Sequence, residues 1–149
     1  DFHPAGYVLA EDGLSLRLPT QAEVDDSGRK AARDAIDMAA GEARQAFVSP
    51  GALVDQEYRD AQAEAQAYKD TGYTGTVPPM VQSWADAASM SAQQAADDML
   101  ATAWQWTQVM QSIRAVRLVG KAAVDAAPSG ADYMAVAQPY IDQLEAIRP

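Results

Sequence analysis

The sequence predicts a mostly α-helical protein, a bundle of about four to five helices preceded by an extended or hairpin N-terminal arm. Three observations lead there. Apolar residues, many of them alanine, recur at three- and four-residue spacing over most of the chain after residue 20. Two capping-box patterns, Thr20-Gln21-Ala22-Glu23 and Ser91-Ala92-Gln93-Gln94, mark helix starts. Glycine and proline clusters punctuate the pattern at the places where short connections are needed.

Residues 1–19 read as the arm. Tyr7-Val8-Leu9 and Leu14-Ser15-Leu16-Arg17-Leu18 are short apolar stretches, the second alternating with period two, and Glu11-Asp12-Gly13 between them is a turn signal. An isolated two-stranded hairpin is marginal in water, so the arm is expected to lie against the helices or another subunit.

The helical domain is expected over 20–149. From Thr20 a long helix should run to about Phe47, with Ala32, Ala35, Ala39, Ala43 and Ala46 forming a seam that Val24, Ile36 and Phe47 broaden. Gly28 and Gly41 weaken that helix locally. Ser49-Pro50-Gly51 reads as a stop and restart, with Pro50 at a first helical position where its missing N–H is harmless. A second helix then covers about 50–70 and presents Val54, Tyr58, Ala61, Ala65 and Tyr68. The stretch from Thr71 to Pro79 carries two glycines and a proline pair and must be a loop.

A short helix at about 80–89 carries Val81, Trp84 and Ala88. The next, about 91–126, places Met99, Ala103, Trp106, Met110, Ile113, Gly120 and Val124 in one three-four series that Arg117 interrupts, with Leu100, Trp104 and Val116 on other faces. It is expected to be central and packed on two sides. Pro128-Ser129-Gly130 ends it. A last helix over about 130–147 offers Tyr133, Val136, Tyr140, Ile141, Leu144 and Ile147, and Pro139 inside it predicts a kink or a split.

Composition narrows the function. The chain has 149 residues, enough for one domain, and a net charge of −10. That charge opposes the attraction that nucleic acids and anionic membranes require, which predicts no nucleic-acid and no membrane partner. Cysteine is absent, removing disulfides, thiolate nucleophiles and cysteine-ligated zinc. No apolar run approaches a membrane span, and the first residues lack the basic and apolar regions of a signal peptide, so a soluble protein outside that export route is expected.

No residue pattern predicts catalysis. His3 is the sole histidine and has no partner spacing for chemistry. Asp25-Asp26 and Asp97-Asp98 are adjacent pairs pointing about 100° apart on a helix, unlike helical di-metal sites, and are read as helix-start acids favoured by the dipole. The loop Thr71-Gly72-Tyr73-Thr74-Gly75 lacks the lysine and hydroxyl of a phosphate loop and follows no strand. Arg114, Arg117 and Lys121 are expected to pair with carboxylates of a neighbouring helix or subunit. No catalytic residue, cofactor or metal site is therefore predicted.

Trp104 and Trp106 diverge by about 200° on their helix and are expected to anchor different packing surfaces, in the core or at a subunit contact. A chain with 7% aromatic residues has few large side chains with which to cover both, and alanine seams bury little area. This predicts a homo-oligomer or hetero-complex, with Tyr7, Val8, Leu9, Leu14, Leu16, Leu18, Trp104 and Trp106 at the partner contacts.

One segment resembles a known module. Its order is Arg44-Gln45-Ala46-Phe47-Val48-Ser49-Pro50-Gly51, Tyr58, Ala65-Gln66-Ala67-Tyr68, Pro78-Pro79, Ala95-Ala96-Asp97-Asp98, Trp104 or Trp106, Ile113-Arg114-Ala115-Val116-Arg117 and Lys121-Ala122-Ala123. This is similar to a short helical module of tail, tail-fibre and neighbouring small proteins of bacteriophages of proteobacteria, in which F-[IV]-[ST]-P-G, E-A-x-x-Y, a tryptophan and R-x-x-x-K-x-x-[IV]-x-A-A recur. The match spans a little over half of the chain, F-V-S-P-G is its distinctive part, and residues 1–43 lie outside it. The resemblance implies a virion structural protein of the tail, made in the host cytoplasm, with other phage structural proteins as partners and no catalytic residue. An assembly chaperone for a tail or fibre protein is the alternative, and an enzyme a third reading.

Overall fold

The computed structural model describes residues 6–13, 15–48 and 54–149. Among them are two short strands, β1 (Val8–Leu9) and β2 (Leu16–Arg17), and five helices: α1 (Gln21–Gln45), α2 (Val54–Asp70), α3 (Pro79–Ala88), α4 (Ala92–Ala126) and α5 (Tyr133–Glu145). The protein is mostly α-helical with an N-terminal hairpin, as its sequence predicts. Leu14, the stop-and-restart segment Ser49-Pro50-Gly51 and the expected beginning of α2 lie outside the described residues, as does His3.

The helix starts form by the chemistry their sequences carry. Thr20 Oγ1 accepts from Glu23 N at 3.3 Å while a Glu23 carboxylate oxygen accepts from Thr20 N at 2.8 Å, which satisfies two amides that the first turn leaves open. Ser91 and Gln94 make the same reciprocal pair at 3.2 and 3.0 Å before α4. The start of α3 is solved differently. Pro78 offers no side-chain cap, and Met80 N is received by Glu64 of α2 at 2.8 Å. Asp132 caps α5 by accepting from Ala135 N.

The chain divides into two compact units, one built from the described residues of 1–46 and 113–149 and the other from those of 47–112. In the first, Ala32, Ile36, Ala39, Ala40 and Ala43 of α1 are buried with Ile113 and Val124 of α4 and with Tyr133, Ala137, Ile141 and Leu144 of α5. Small residues let the helices approach closely. A Cβ on Gly120 would stand 2.8 Å from Tyr140 Cγ and 3.2 Å from Ile36 Cδ1, so α1, α4 and α5 meet where α4 has no side chain. Polar contacts tie α1 to the same helix: Arg33 Nη1 lies 2.7 Å from an Asp125 carboxylate oxygen, and Asp37 accepts from both Arg117 and Lys121.

The second unit is smaller in its core. Ala65 and Tyr68 of α2, Val81 and Ala85 of α3, and Ala95 and Ala96 of α4 form one buried cluster, with Tyr73, Val77, Met99 and Leu100 packed on it. The loop before α3 turns through left-handed backbone at Gly72, Tyr73 and Gly75. Tyr73 sustains that conformation with two anchors. Its ring meets Tyr68 edge-on at 5.7 Å, and its hydroxyl donates to Asp97 of α4.

Several expectations are corrected. Residues 97–112 of α4 include none that is buried, so this stretch is not packed on two sides. Its burial is concentrated at Ala95 and Ala96, and again at Ile113, Gly120 and Val124. Val24 and Trp84 point outward and Ala40 and Ala85 take the inward positions, because an alanine surface packs without selecting which neighbouring residue is larger. Helix α5 runs through Pro139 without a split. Asp97 lies beyond the first turn of α4, which has no acid, and Asp25 lies beyond the first turn of α1, where Glu23 is the acid. The helix dipole therefore does not explain either aspartate.

Candidate functional site

The hairpin sorts the arm residues by their place in the pleat. Val8 faces Arg17 and Leu9 faces Leu16 in an antiparallel pair. Alternation then puts Tyr7, Leu9, Leu16 and Leu18 on one face and Val8 with Arg17 on the other. The turn is held by Ala10 N donating to Ser15 O at 2.8 Å and by the Asp12 carboxylate, which accepts from Ser15 N and Ser15 Oγ. Gly13 supplies the left-handed residue, at φ 67°.

The two faces have opposite fates. Val8 is buried, and Arg17 reaches Glu23 of α1 through a two-pronged contact at 2.6 and 2.7 Å, fixing the hairpin to the start of that helix. Arg17 and the Thr20 amide together hold the Glu23 carboxyl down to about 2. On the other face Tyr7 is 39% exposed, Leu9 60%, Leu16 51% and Leu18 69%. Four large apolar side chains thus share one open surface. Of the eight residues predicted at partner contacts, these four are brought together, Val8 is buried, and Leu14 is outside the described residues.

Trp104 and Trp106 belong to the second unit and do not behave alike. Trp104 is 65% exposed and Trp106 is half-buried, so Trp104 is the tryptophan of α4 left free for a contact. Trp84, also exposed, is pinned by its indole N–H, which donates to Asp98 at 2.8 Å.

Asp25 is a feature that sequence reasoning missed. It is buried, and its two oxygens accept from Ser129 Oγ, Gly130 N and Gln21 Nε2, so it clasps the turn between α4 and α5 from a position more than a hundred residues earlier. Those bonds, Ser129 first and Gly130 next, outweigh burial and hold its carboxyl well below the usual range. Beside it Arg29 stacks over the Tyr133 ring at 4.8 Å and donates to Ala127 O at 3.1 Å. Gln21, Val24, Gly28, Tyr133 and Met134 line a shallow cleft of about 370 Å³ here. With three donors on its two oxygens, Asp25 latches α1 to the α4–α5 turn. The Pro128-Ser129-Gly130 turn offers a hydroxyl and an amide as donors, but nothing local in the sequence directs them to Asp25.

The basic residues of α4 split. Arg117 and Lys121 converge on Asp37, as expected of a neighbouring helix, and Arg114 is exposed outside that group. Burial pushes the Asp37 carboxyl up, but the bonds from Lys121 and Arg117 outweigh it and leave it lowered. Asp97 is lowered by the Tyr73 hydroxyl and then by Lys69, 3.0 Å away.

Among the described residues no group of three or more histidine, cysteine, aspartate or glutamate side chains is placed to hold a metal ion. No helix among them is long and apolar enough to cross a membrane. No family profile, curated protein or solved structure matches the chain.

Proposed function

We propose that this chain is a bacteriophage virion structural protein, associated with the tail or tail fibre, that acts through contacts with other phage structural proteins and carries no catalytic site. The observation that carries the reading is the hairpin: Tyr7, Leu9, Leu16 and Leu18 share an outward face while, on the other, Val8 is buried and Arg17 is bonded to Glu23 of α1. An apolar face turned outward suits docking, since leaving such side chains in water has no stabilising effect on the chain itself. Exposed Trp104 adds a second aromatic contact of the type enriched at interfaces. The resemblance of residues 44–127 to a phage tail module supplies the biological setting.

The test is a mass-spectrometric inventory of purified virions, with copy number, together with pull-down from infected cells using the full chain and a chain lacking residues 1–19. The proposal expects the protein in particles and partners lost with the arm. Presence in infected cells but absence from particles would instead favour the assembly chaperone. A well-folded monomer whose partners are unchanged by the truncation would remove the arm from the account.

A further inference from the structure

We propose that the hairpin takes up an extended segment of another protein as an added β-strand, the segment carrying apolar residues at alternate positions and a net positive charge. This deepens the reading of the chain as one that works through protein contacts, and names the form of the partner. It does not depend on that partner being viral.

The backbone makes the first part of the argument. Ala10 N donates to Ser15 O across the two strands, and this bond sets the parity of the ladder. The antiparallel ladder alternates, which makes Val8 and Arg17 the next bonded pair and leaves the amides and carbonyls of Leu9 and Leu16 pointing away from the hairpin. The sheet has two strands among the described residues, so each strand presents an open edge. Strand addition satisfies such an edge with main-chain bonds, and alternate side chains of the incoming segment fall on the same side as Tyr7, Leu9, Leu16 and Leu18.

Area and charge choose the occupant. Four side chains at these exposures offer on the order of 400 Å² of apolar surface, a size that marks binding patches on soluble proteins. A stable protein dimer buries about 800 Å² on each partner. The hairpin face is half of that, enough for a short segment and too little for a second globular copy. A second copy also brings a further net charge of −10 and another acidic turn at Glu11 and Asp12. A basic segment brings the opposite sign.

The probe is a fluorescently labelled ten-residue peptide of alternating valine and lysine, compared by anisotropy with an isomer in which the five valines precede the five lysines. Both carry the same charge, and the full chain is used throughout. Strand addition expects the alternating peptide to bind about tenfold more tightly than the block isomer. It also expects the double variant Leu9→Ser/Leu16→Ser to lose that preference while helix content and melting temperature stay unchanged, since both side chains are exposed. Leu18→Ser, at the most exposed position of the four, repeats the measurement if the double variant loses helix. Equal affinity for the two peptides, or a preference that survives the variants, would show simple charge attraction and overturn the inference. Concentration-dependent dimers of the full chain in sedimentation velocity, abolished by the same variants, would give the face to a second copy and overturn it as well. Virion content is a separate readout, so the failure of either proposal is visible without the other.

Discussion

Alanine substitution should have opposite signs at two glycines of the first unit. Gly120 lies inside α4 where a Cβ would stand 2.8 Å from Tyr140 Cγ, 2.9 Å from Tyr140 Cβ and 3.2 Å from Ile36 Cδ1. Carbon atoms in good contact are about 3.5–4.0 Å apart, so Gly120→Ala must push α5 away from α4 by roughly 0.7–1 Å. The Tyr140 Cβ sits against its backbone and cannot swing aside, which makes this overpacking of the kind that costs about 1–3 kcal/mol. Replacing a helical glycine with alanine returns about 1 kcal/mol of helix propensity, and with the overpacking cost near the middle of its range the net loss is about 1 kcal/mol, and at most about 2 kcal/mol. Gly41 lies in α1 with nothing within 4 Å of the same added atom, so Gly41→Ala keeps the propensity term alone and gains about 0.5–1 kcal/mol. At this chain length a kcal/mol moves the melting temperature by about 2–4 °C. Both residues belong to one unit, so both shifts appear in the same transition followed by circular dichroism. A Gly120→Ala variant that melts at or above the parent temperature would show that the three helices do not meet as closely as described.

Other outcomes follow from the same contacts. Asp25, Glu23, Asp37 and Asp97 all have carboxyls lowered in the folded chain, so their stabilisation is present in full above the unfolded range of about 4 and is lost as pH falls through it toward 2. Melting temperature should therefore be level above about pH 5 and drop steadily below about pH 4, with a shallower drop in Asp25→Asn; a flat acid limb in the parent chain refutes it. Ile113→Asp puts an unpaired carboxylate at a fully buried position and should cost about 4 kcal/mol by urea unfolding, whereas an unchanged midpoint would place that side chain outside the core. Glu64→Ala leaves the Met80 amide without its acceptor at the start of α3 and should cost about 1 kcal/mol, read as earlier hydrogen exchange of the α3 amides; unchanged protection would mean that the proline pair alone starts the helix.

Local chemistry was legible and long-range choice was not. Thr20 with Glu23 and Ser91 with Gln94 are complete within four residues, so each could be read as a helix start and each is found as one. The arm was legible because period-two alternation and a Glu-Asp-Gly turn are also short-range, and the same alternation predicted which residues share a face once the register was known. The partners of α4 were hidden. Its three-four series from Met99 to Val124 is interrupted in spacing only at Arg117, yet burial is confined to Ile113, Gly120 and Val124 at one end of it, with Trp104 left outside. Spacing reports that a face can be covered and carries no information about which part is. The latch from Asp25 to Ser129 joins residues that no local pattern relates, and the aspartate was read as a helix-start acid because that is the reading its neighbours support.

The acidity of this chain has a structural use that composition alone conceals. Alanine cores bury little area per contact, so the position of one helix on another is weakly specified by packing. Carboxylates supply the missing direction. Asp25 accepts from the α4–α5 turn, and Asp37 receives two cations of α4. In the other unit Glu64 receives the first turn of α3, Asp97 the Tyr73 hydroxyl and Lys69, and Asp98 the Trp84 indole. Each bond is worth little in water-exposed settings, but each is geometrically selective and fixes one element against another. These are five of the 21 acids, and because there are 11 basic residues against those 21 the chain keeps a net charge of −10. That excess repels other copies of the chain while the outward hairpin face attracts apolar surface, so the partner best suited to the hairpin is one that brings positive charge with it.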